Sequence, residues 1–124
     1  DIKGYLNLGA NQIGAGARIL IHDVLKASGC GPAANPEQPP MIVLMTPSAV
    51  MLTPQSRDFG FVDGATHSAK QVSDNYQAIA DELNIKYFDV QKIASPSPAD
   101  GVHFGREAQA LIASGLSDCI IPLK

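Results

Sequence analysis

Hydrophobic positions along this 124-residue chain follow a helix-like spacing in some stretches and form short continuous runs in others. Over residues 11–28, apolar residues recur three and four positions apart, which predicts an amphipathic helix. Gly29, Gly31 and Pro32 follow and are expected to end it. The positions on its apolar stripe are Ile13, Ala17, Leu20, Ile21, Val24 and Leu25.

A run of five apolar residues, 41–45, lies between two prolines and predicts a short strand buried on both faces of a parallel sheet. We expect Met41, Met45 and Met51, in and just after this run, to fill gaps in the core rather than bind metal. A second strand is predicted over residues 85–90, with partial alternation.

Two further helices complete the pattern. One begins at Asp63 or Thr66 and ends near Asn84, and the last spans about residues 104–114, with Gly115 near its end. The order of helix, strand, helix, strand, helix is typical of a doubly wound parallel α/β sheet with helices on both sides. The expected buried positions are Ala65, Ala69, Val72, Tyr76, Ile79, Ala80 and Leu83 in the middle helix, and Ala108, Leu111, Ile112 and Leu116 in the last.

Composition narrows the class of protein only moderately. With 45% hydrophobic and 17% charged residues, the chain reads as one globular domain or part of one. A net charge of -3 without a basic cluster argues against nucleic acid or a membrane as a partner, and no apolar run is long enough to cross a bilayer. Cys30 and Cys119 lack metal-type spacing, and unpaired thiols are favoured over a disulfide. This slightly favours the cytoplasm, and localisation stays open.

The candidate chemistry lies in Asp100-Gly101-Val102-His103, just before the last helix. A carboxylate three residues before an imidazole can accept the proton of one ring nitrogen and leave the other nitrogen to act as a base. The preceding residues, 95–99, show no helix or strand pattern, so the pair is expected on a loop. The competing interpretation is an Asp that caps the helix beside a surface His. His22 and His67 are interpreted as surface residues.

The block formed by Asp100, His103 and Phe104, with residues 87–90 before it and 108–113 after it, resembles the last conserved block of the SGNH (GDSL-type) hydrolases. Residues 15–20, 27–32 and 41–47 look like the arylesterase and acyltransferase branch. The resemblance covers essentially the whole chain, but only as the C-terminal half of such an enzyme. It implies a flavodoxin-like, three-layer α/β/α sheet and hydrolysis or acyl transfer of short-chain carboxylic esters. It also implies that Asp100 and His103 are catalytic, with no metal or organic cofactor.

The long segment 46–62 follows the first predicted strand, where open α/β sheets bind their ligands. Its apolar residues Val50, Met51, Leu52 and Phe59 are therefore candidates for substrate binding, as a wall of the acyl pocket. The alternative is a loop that folds onto its own small core.

In the resembled family, the N-terminal half carries the Gly-Asp-Ser nucleophile block and the two blocks that form the oxyanion hole. None of these occurs in the 124 residues, although Asp1 matches the Asp of a Gly-x-Asn-Asp block. Two predicted strands also cannot cover three amphipathic helices. Both observations predict a companion chain that carries the serine, and a homo-oligomer is a further option. Ser48 is a weak alternative nucleophile, because no helix is predicted to begin there.

Two other functions stay open at this point. One alternative to the esterase is a non-catalytic, flavodoxin-like interaction module, in which Asp100 and His103 only cap the last helix. The other is a carbohydrate O-deacetylase of the same superfamily. The sequence does not identify the natural ester.

Overall fold

The computed structural model describes residues 2–27 and 39–121, and it has the predicted alternation of helices and strands. The predictions on Asp1, on Cys30 and on the helix stop at residues 29–32 lie outside the described residues. The elements are α1 (Ala10–Lys26), β1 (Val43–Met45), α2 (Pro54–Asp58), α3 (Ala65–Leu83), β2 (Lys86–Phe88) and α4 (Arg106–Ile120), with 3-10 turns at Gly4–Leu6 and Val90–Lys92.

Helix α2 lies within the segment that the sequence predicted to be a loop. Thr53 Oγ1 accepts a hydrogen bond from the Ser56 N–H (3.0 Å), and Ser56 Oγ accepts one from the Thr53 N–H (2.8 Å). This reciprocal cap, with Pro54 at the first helical position, fixes where α2 begins. A five-residue helix is too short to show a hydrophobic period, so the pattern could not predict it.

The predicted end of the last helix at residue 114 is wrong, since α4 continues to Ile120. Gly115 lies inside the helix, where a Cβ atom would come within 3.1 Å of the Phe88 ring. This glycine allows α4 to approach β2 closely and does not stop the helix.

Strands β1 and β2 pair in parallel, with Val43 opposite Lys86, Leu44 opposite Tyr87 and Met45 opposite Phe88. The fold class is therefore confirmed as a mixed α/β structure with a parallel sheet. The predicted burial of the first strand on both faces is wrong, and so is the core position of its methionines: Met41 is 67%, Met45 45% and Met51 41% exposed. They are exposed because the described residues supply no further strand or helix to cover them.

The core lies on the side of the sheet where α3 packs against both strands and α1. Of its predicted stripe, Ala65, Ala69, Val72, Ile79 and Ala80 are buried, as expected. Gly14 of α1 faces Ile79 and Asn75, and Arg18 of α1 pairs with Glu82 of α3 (Nη2 to Oε2, 2.8 Å).

Helix α4 packs against β2 but buries none of its residues fully. Leu111 is 56% exposed, so its predicted inward position is wrong. A wide apolar groove separates α4 from the end of β1, lined by residues that include Met45, Pro47, Phe104, Ile112 and Leu116. None of the helices in the described ranges combines the length and apolar character that a bilayer crossing requires.

Candidate active site

The turn before α4 brings Asp100 and His103 into direct contact. Asp100 Oδ2 lies 2.8 Å from His103 Nδ1. The other carboxylate oxygen, Oδ1, accepts hydrogen bonds from the backbone N–H groups of Val102 and His103, each at 2.9 Å. Three donors therefore converge on one carboxylate, and the turn itself holds the imidazole over it.

These hydrogen bonds favour the ionised form of Asp100. The N–H of Val102, then the N–H and the ring of His103, lower the pKa of Asp100 to about 2, so the carboxylate is ionised at neutral pH. An ionised carboxylate can only accept, so His103 Nδ1 is the donor of this hydrogen bond, and in the neutral form of the ring the lone pair is then on Nε2. The His103 side chain is 72% exposed, against 24% for Asp100. Within the described ranges, the His103 side chain hydrogen-bonds to Asp100 alone.

Gly101 allows the turn to approach the preceding loop. Its φ is +75°, and a Cβ atom at this position would lie 2.0 Å from the carbonyl oxygen of Met51. Its carbonyl accepts from the Met51 N–H (2.9 Å), and its N–H donates to the Ser97 carbonyl (2.7 Å). The Ser97 N–H in turn donates to the His103 carbonyl (2.7 Å). The turn is thus fixed by backbone contacts on both sides.

Side chains from the loop after β1 add to this bracing. Thr53 Oγ1 donates to the Asp100 carbonyl (3.0 Å), and Ser48 Oγ donates to the Val102 carbonyl (3.2 Å). The Phe59 ring meets the His103 imidazole edge to face, with centroids 5.9 Å apart and planes at 82°. The hydroxyl of Ser48 is therefore engaged in holding the turn.

His22 and His67 are exposed on α1 and α3, as the sequence indicated.

The four predicted substrate-binding residues divide into two pairs. Phe59 touches the imidazole, and Met51 is exposed beside Gly101. Val50, only 4% exposed, and Leu52 belong instead to a hydrophobic cluster that also contains Ile2, Phe61, Ala65 and Val102. For Val50 and Leu52, the alternative expectation from the sequence applies, in which the loop folds onto a small core of its own. Substrate binding by any of the four stays a prediction.

An apolar cavity of about 210 Å³ adjoins this cluster. Val50, Phe61 and Pro47 line it together with residues of α1 and α3, among them Ile13, Val72 and Tyr76. The Val50 side chain therefore lines this pocket and also belongs to the cluster that contains Val102 of the turn.

Asp89, the other acidic residue near a strand end, has a different role. Its side chain is 8% exposed and accepts hydrogen bonds from Thr46 Oγ1 (3.2 Å), Ser73 Oγ (3.1 Å) and the Gln91 N–H (3.1 Å). Burial alone would raise the pKa of Asp89, but the hydrogen bonds from Ser73 and Gln91, together with Lys92, bring it below its ordinary value. Asp89 thus anchors the start of the loop after β1. The described residues contain no group of three or more His, Cys, Asp or Glu side chains arranged to hold a metal ion.

Sequence reasoning missed the bracing by Ser48, Thr53 and Ser97. The contacts of Ser48 and Thr53 join positions 54 and 47 residues apart, so no local spacing signals them, and only the fold brings the loop close to the turn. Those of Ser97 are local, but they use backbone groups, which every residue type has.

No protein-family model matches the sequence, and no curated protein matches it. Solved structures do match the fold. The aryl esterase of M. smegmatis superposes with a TM-score of 0.87 at 21% identity, and a carbohydrate acetylesterase from Sinorhizobium meliloti with 0.87 at 23%; each match covers 100% of this chain and 57% of the other. A mutant of an acetyl-xylooligosaccharide esterase from Geobacillus gives a TM-score of 0.62 at 20% identity, covering 91% and 48%.

The chain therefore has the fold of about half of these esterases, as the resemblance of its Asp-x-x-His block to the C-terminal half of an SGNH-type hydrolase predicted. It spans a little over half the length of the solved structures that it matches most fully.

Proposed function

We propose that this chain supplies the catalytic Asp and His of a serine esterase of the SGNH type that acts on short-chain carboxylic esters. The observation that carries the proposal is the 2.8 Å contact between Asp100 Oδ2 and His103 Nδ1, in a His103 side chain that is 72% exposed and makes no other hydrogen bond to the described residues. The esterase fold of the matching structures supports the reaction class. Because the chain spans only 57% of those structures, the activity of the whole enzyme is part of the proposal.

In the proposed reaction, a serine outside these residues attacks the ester carbonyl while His103 Nε2 takes its proton. The tetrahedral intermediate then releases the alcohol, which receives that proton from Nε2. Asp100 keeps the ring in the required tautomer and stabilises its protonated form. Water, or a second alcohol, attacks the acyl-enzyme by the same proton transfers, which gives hydrolysis or acyl transfer.

We propose that the serine and the oxyanion hole belong to a companion chain. The exposed Met45 on β1, the exposed Leu111 on α4 and the groove between them support this, since parallel strands are normally covered on both faces. Mass spectrometry of the purified, active enzyme should detect a second polypeptide with a Gly-Asp-Ser block. One longer polypeptide containing both halves would overturn the companion chain and keep the triad. An active species made only of these 124 residues would overturn both.

Replacing the base tests the function directly. In the complete hydrolase, His103→Ala should lower kcat on a nitrophenyl acetate by about 10³-fold or more, because no other group takes the serine proton. Asp100→Asn should cost less, about 10²-fold, since it disturbs the orientation of the ring. His67→Ala, at an exposed histidine of α3, is the matched control and should be neutral.

A covalent serine-reactive probe separates the esterase from an interaction module. Labelling of the companion chain that disappears in His103→Ala supports the esterase. Absence of labelling, together with no hydrolysis by the parent protein of any ester offered, would favour the module.

The substrate side of the proposal rests on the loop after β1. We propose that Phe59 and Met51 contact the acyl group and that Val50 and Leu52 support them from behind. The second candidate, a carbohydrate O-deacetylase, is favoured by the matching carbohydrate acetylesterase and acetyl-xylooligosaccharide esterase. A panel of aryl acetates and acetylated sugars, compared by kcat/KM, distinguishes the two.

A further inference from the structure

We propose that Thr53 is a positioning residue for the Asp100–His103 pair. Its hydroxyl donates to the Asp100 carbonyl (3.0 Å) and accepts from the Ser56 N–H (3.0 Å). The role in catalysis rests on the function proposed above. The role in holding the pair does not.

The contact acts on the peptide unit between Asp100 and Gly101. Thr53 holds the carbonyl oxygen of this unit, and the Ser97 carbonyl holds its N–H at 2.7 Å. Gly101 has no side chain to restrict its backbone dihedral angles, so the peptide plane depends on these two hydrogen bonds for its orientation. If the plane tilts, the Asp100 carboxylate moves relative to His103.

Thr53 also connects this peptide to the aromatic wall of the site. It caps α2, and Phe59, the residue after α2, contacts the imidazole edge to face. Ser56, the capping partner, is fully buried. One hydroxyl therefore links the segment that carries Phe59 to the turn that carries the carboxylate, and both of its hydrogen-bonding directions are in use.

Three variants of the complete hydrolase distinguish the hydrogen bond from Thr53 to the Asp100 carbonyl, here called the Thr53 clamp, from the cap of α2. Thr53→Val keeps the shape but removes the hydroxyl, and it should lower kcat on a nitrophenyl acetate about tenfold, because small displacements of catalytic groups are costly, with KM changed less than about twofold. Thr53→Ser restores the hydroxyl and should return kcat to within about twofold of the parent. Ser56→Ala removes one side of the cap, leaves the Thr53–Asp100 contact, and should also stay within about twofold.

A second measurement does not depend on activity. The proton on His103 Nδ1 should give a downfield NMR resonance, assigned by its loss in His103→Ala. It should broaden or shift in Thr53→Val and persist in Thr53→Ser and Ser56→Ala. If the parent has no esterase activity but the resonance responds in this way, the proposed function fails and the positioning role stands.

Two results would overturn the positioning role. One is Thr53→Val with parental kcat and an unchanged resonance. The other is equal loss in Thr53→Val and Ser56→Ala, which would assign the effect to the cap of α2. Should Thr53→Val fail to fold by circular dichroism, Thr53→Asp replaces it, since a carboxylate caps a helix but cannot donate to the Asp100 carbonyl. An unchanged resonance in that variant would be equally decisive against the proposal.

Discussion

Two regions of this structure, the Asp100–His103 turn and the surface of β1 and α4, are organised differently. Around Asp100, three successive backbone carbonyls of the turn, those of residues 100–102, accept hydrogen bonds from the loop after β1, and Val102 is packed into a hydrophobic cluster. Along the outer edge of β1 and on α4, by contrast, Met45 and Leu111 are about half exposed. The contrast indicates that the contact between Asp100 and His103 is held within the described residues, whereas the apolar surface of the sheet and α4 is left uncovered by them.

The most damaging single change should be Gly101→Ala. Its Cβ atom would lie 2.0 Å from the backbone oxygen of Met51, and backbone atoms cannot move aside without opening the turn. We expect a loss of about 3 kcal/mol or more in the free energy of unfolding, measured by urea titration, and a loss of at least about 10²-fold in esterase kcat.

Gly64→Ala is the matched control for that variant. Gly64 also has a positive φ, +91°, but nothing lies within 4 Å of a Cβ placed there. Only the backbone strain remains, about 1 kcal/mol, with kcat unchanged. Equal effects of the two variants would mean that the close contact with Met51 contributes nothing.

The second prediction concerns acid. The pKa of Asp100 is lowered to about 2, so its contribution to stability is fully present above the ordinary carboxyl pKa and is lost as the pH falls through about 2. The ¹³C shift of the Asp100 carboxyl should therefore titrate with a midpoint near 2. In a Thr53→Val variant with a disturbed turn, the midpoint should move toward the ordinary value. A parental midpoint near 4 would contradict the network of hydrogen bonds at this carboxylate.

The next prediction tests the exposed face of α4 at Leu111. If additional protein covers α4 in the complete hydrolase, Leu111→Gln should lower its free energy of unfolding by about 1–2 kcal/mol, which is the scale of burying one leucine. Arg106→Gln, at an exposed position of the same helix, is the control and should change it by less than about 0.5 kcal/mol. A neutral Leu111→Gln would indicate that this face stays in water.

The sequence predicted the local features of the molecule better than the features that depend on contacts between distant residues. The period of α3 and the Asp-x-x-His spacing are local patterns, and both are present in the structure. The exposure of Met41 and Met45 was not predictable, because a continuous apolar run indicates burial but not which neighbour buries it. Helix α2 and the Thr53 clamp were missed because a five-residue helix has no period and the clamp joins residues 47 positions apart.

The smallest expected effects come from two glycines inside helices. At Gly16 of α1, nothing lies within 4 Å of an added Cβ, so Gly16→Ala should raise the free energy of unfolding by about 0.5–1 kcal/mol through helix propensity. At Gly115 of α4, the same change places a Cβ atom 3.1 Å from the Phe88 ring and should lower it by about 1 kcal/mol. Thermal or urea unfolding of both variants in the complete hydrolase measures the difference. A destabilising Gly16→Ala in the complete hydrolase would mean that another surface approaches α1 as closely as Phe88 approaches α4. The surface that additional protein covers would then include α1 as well as β1 and α4.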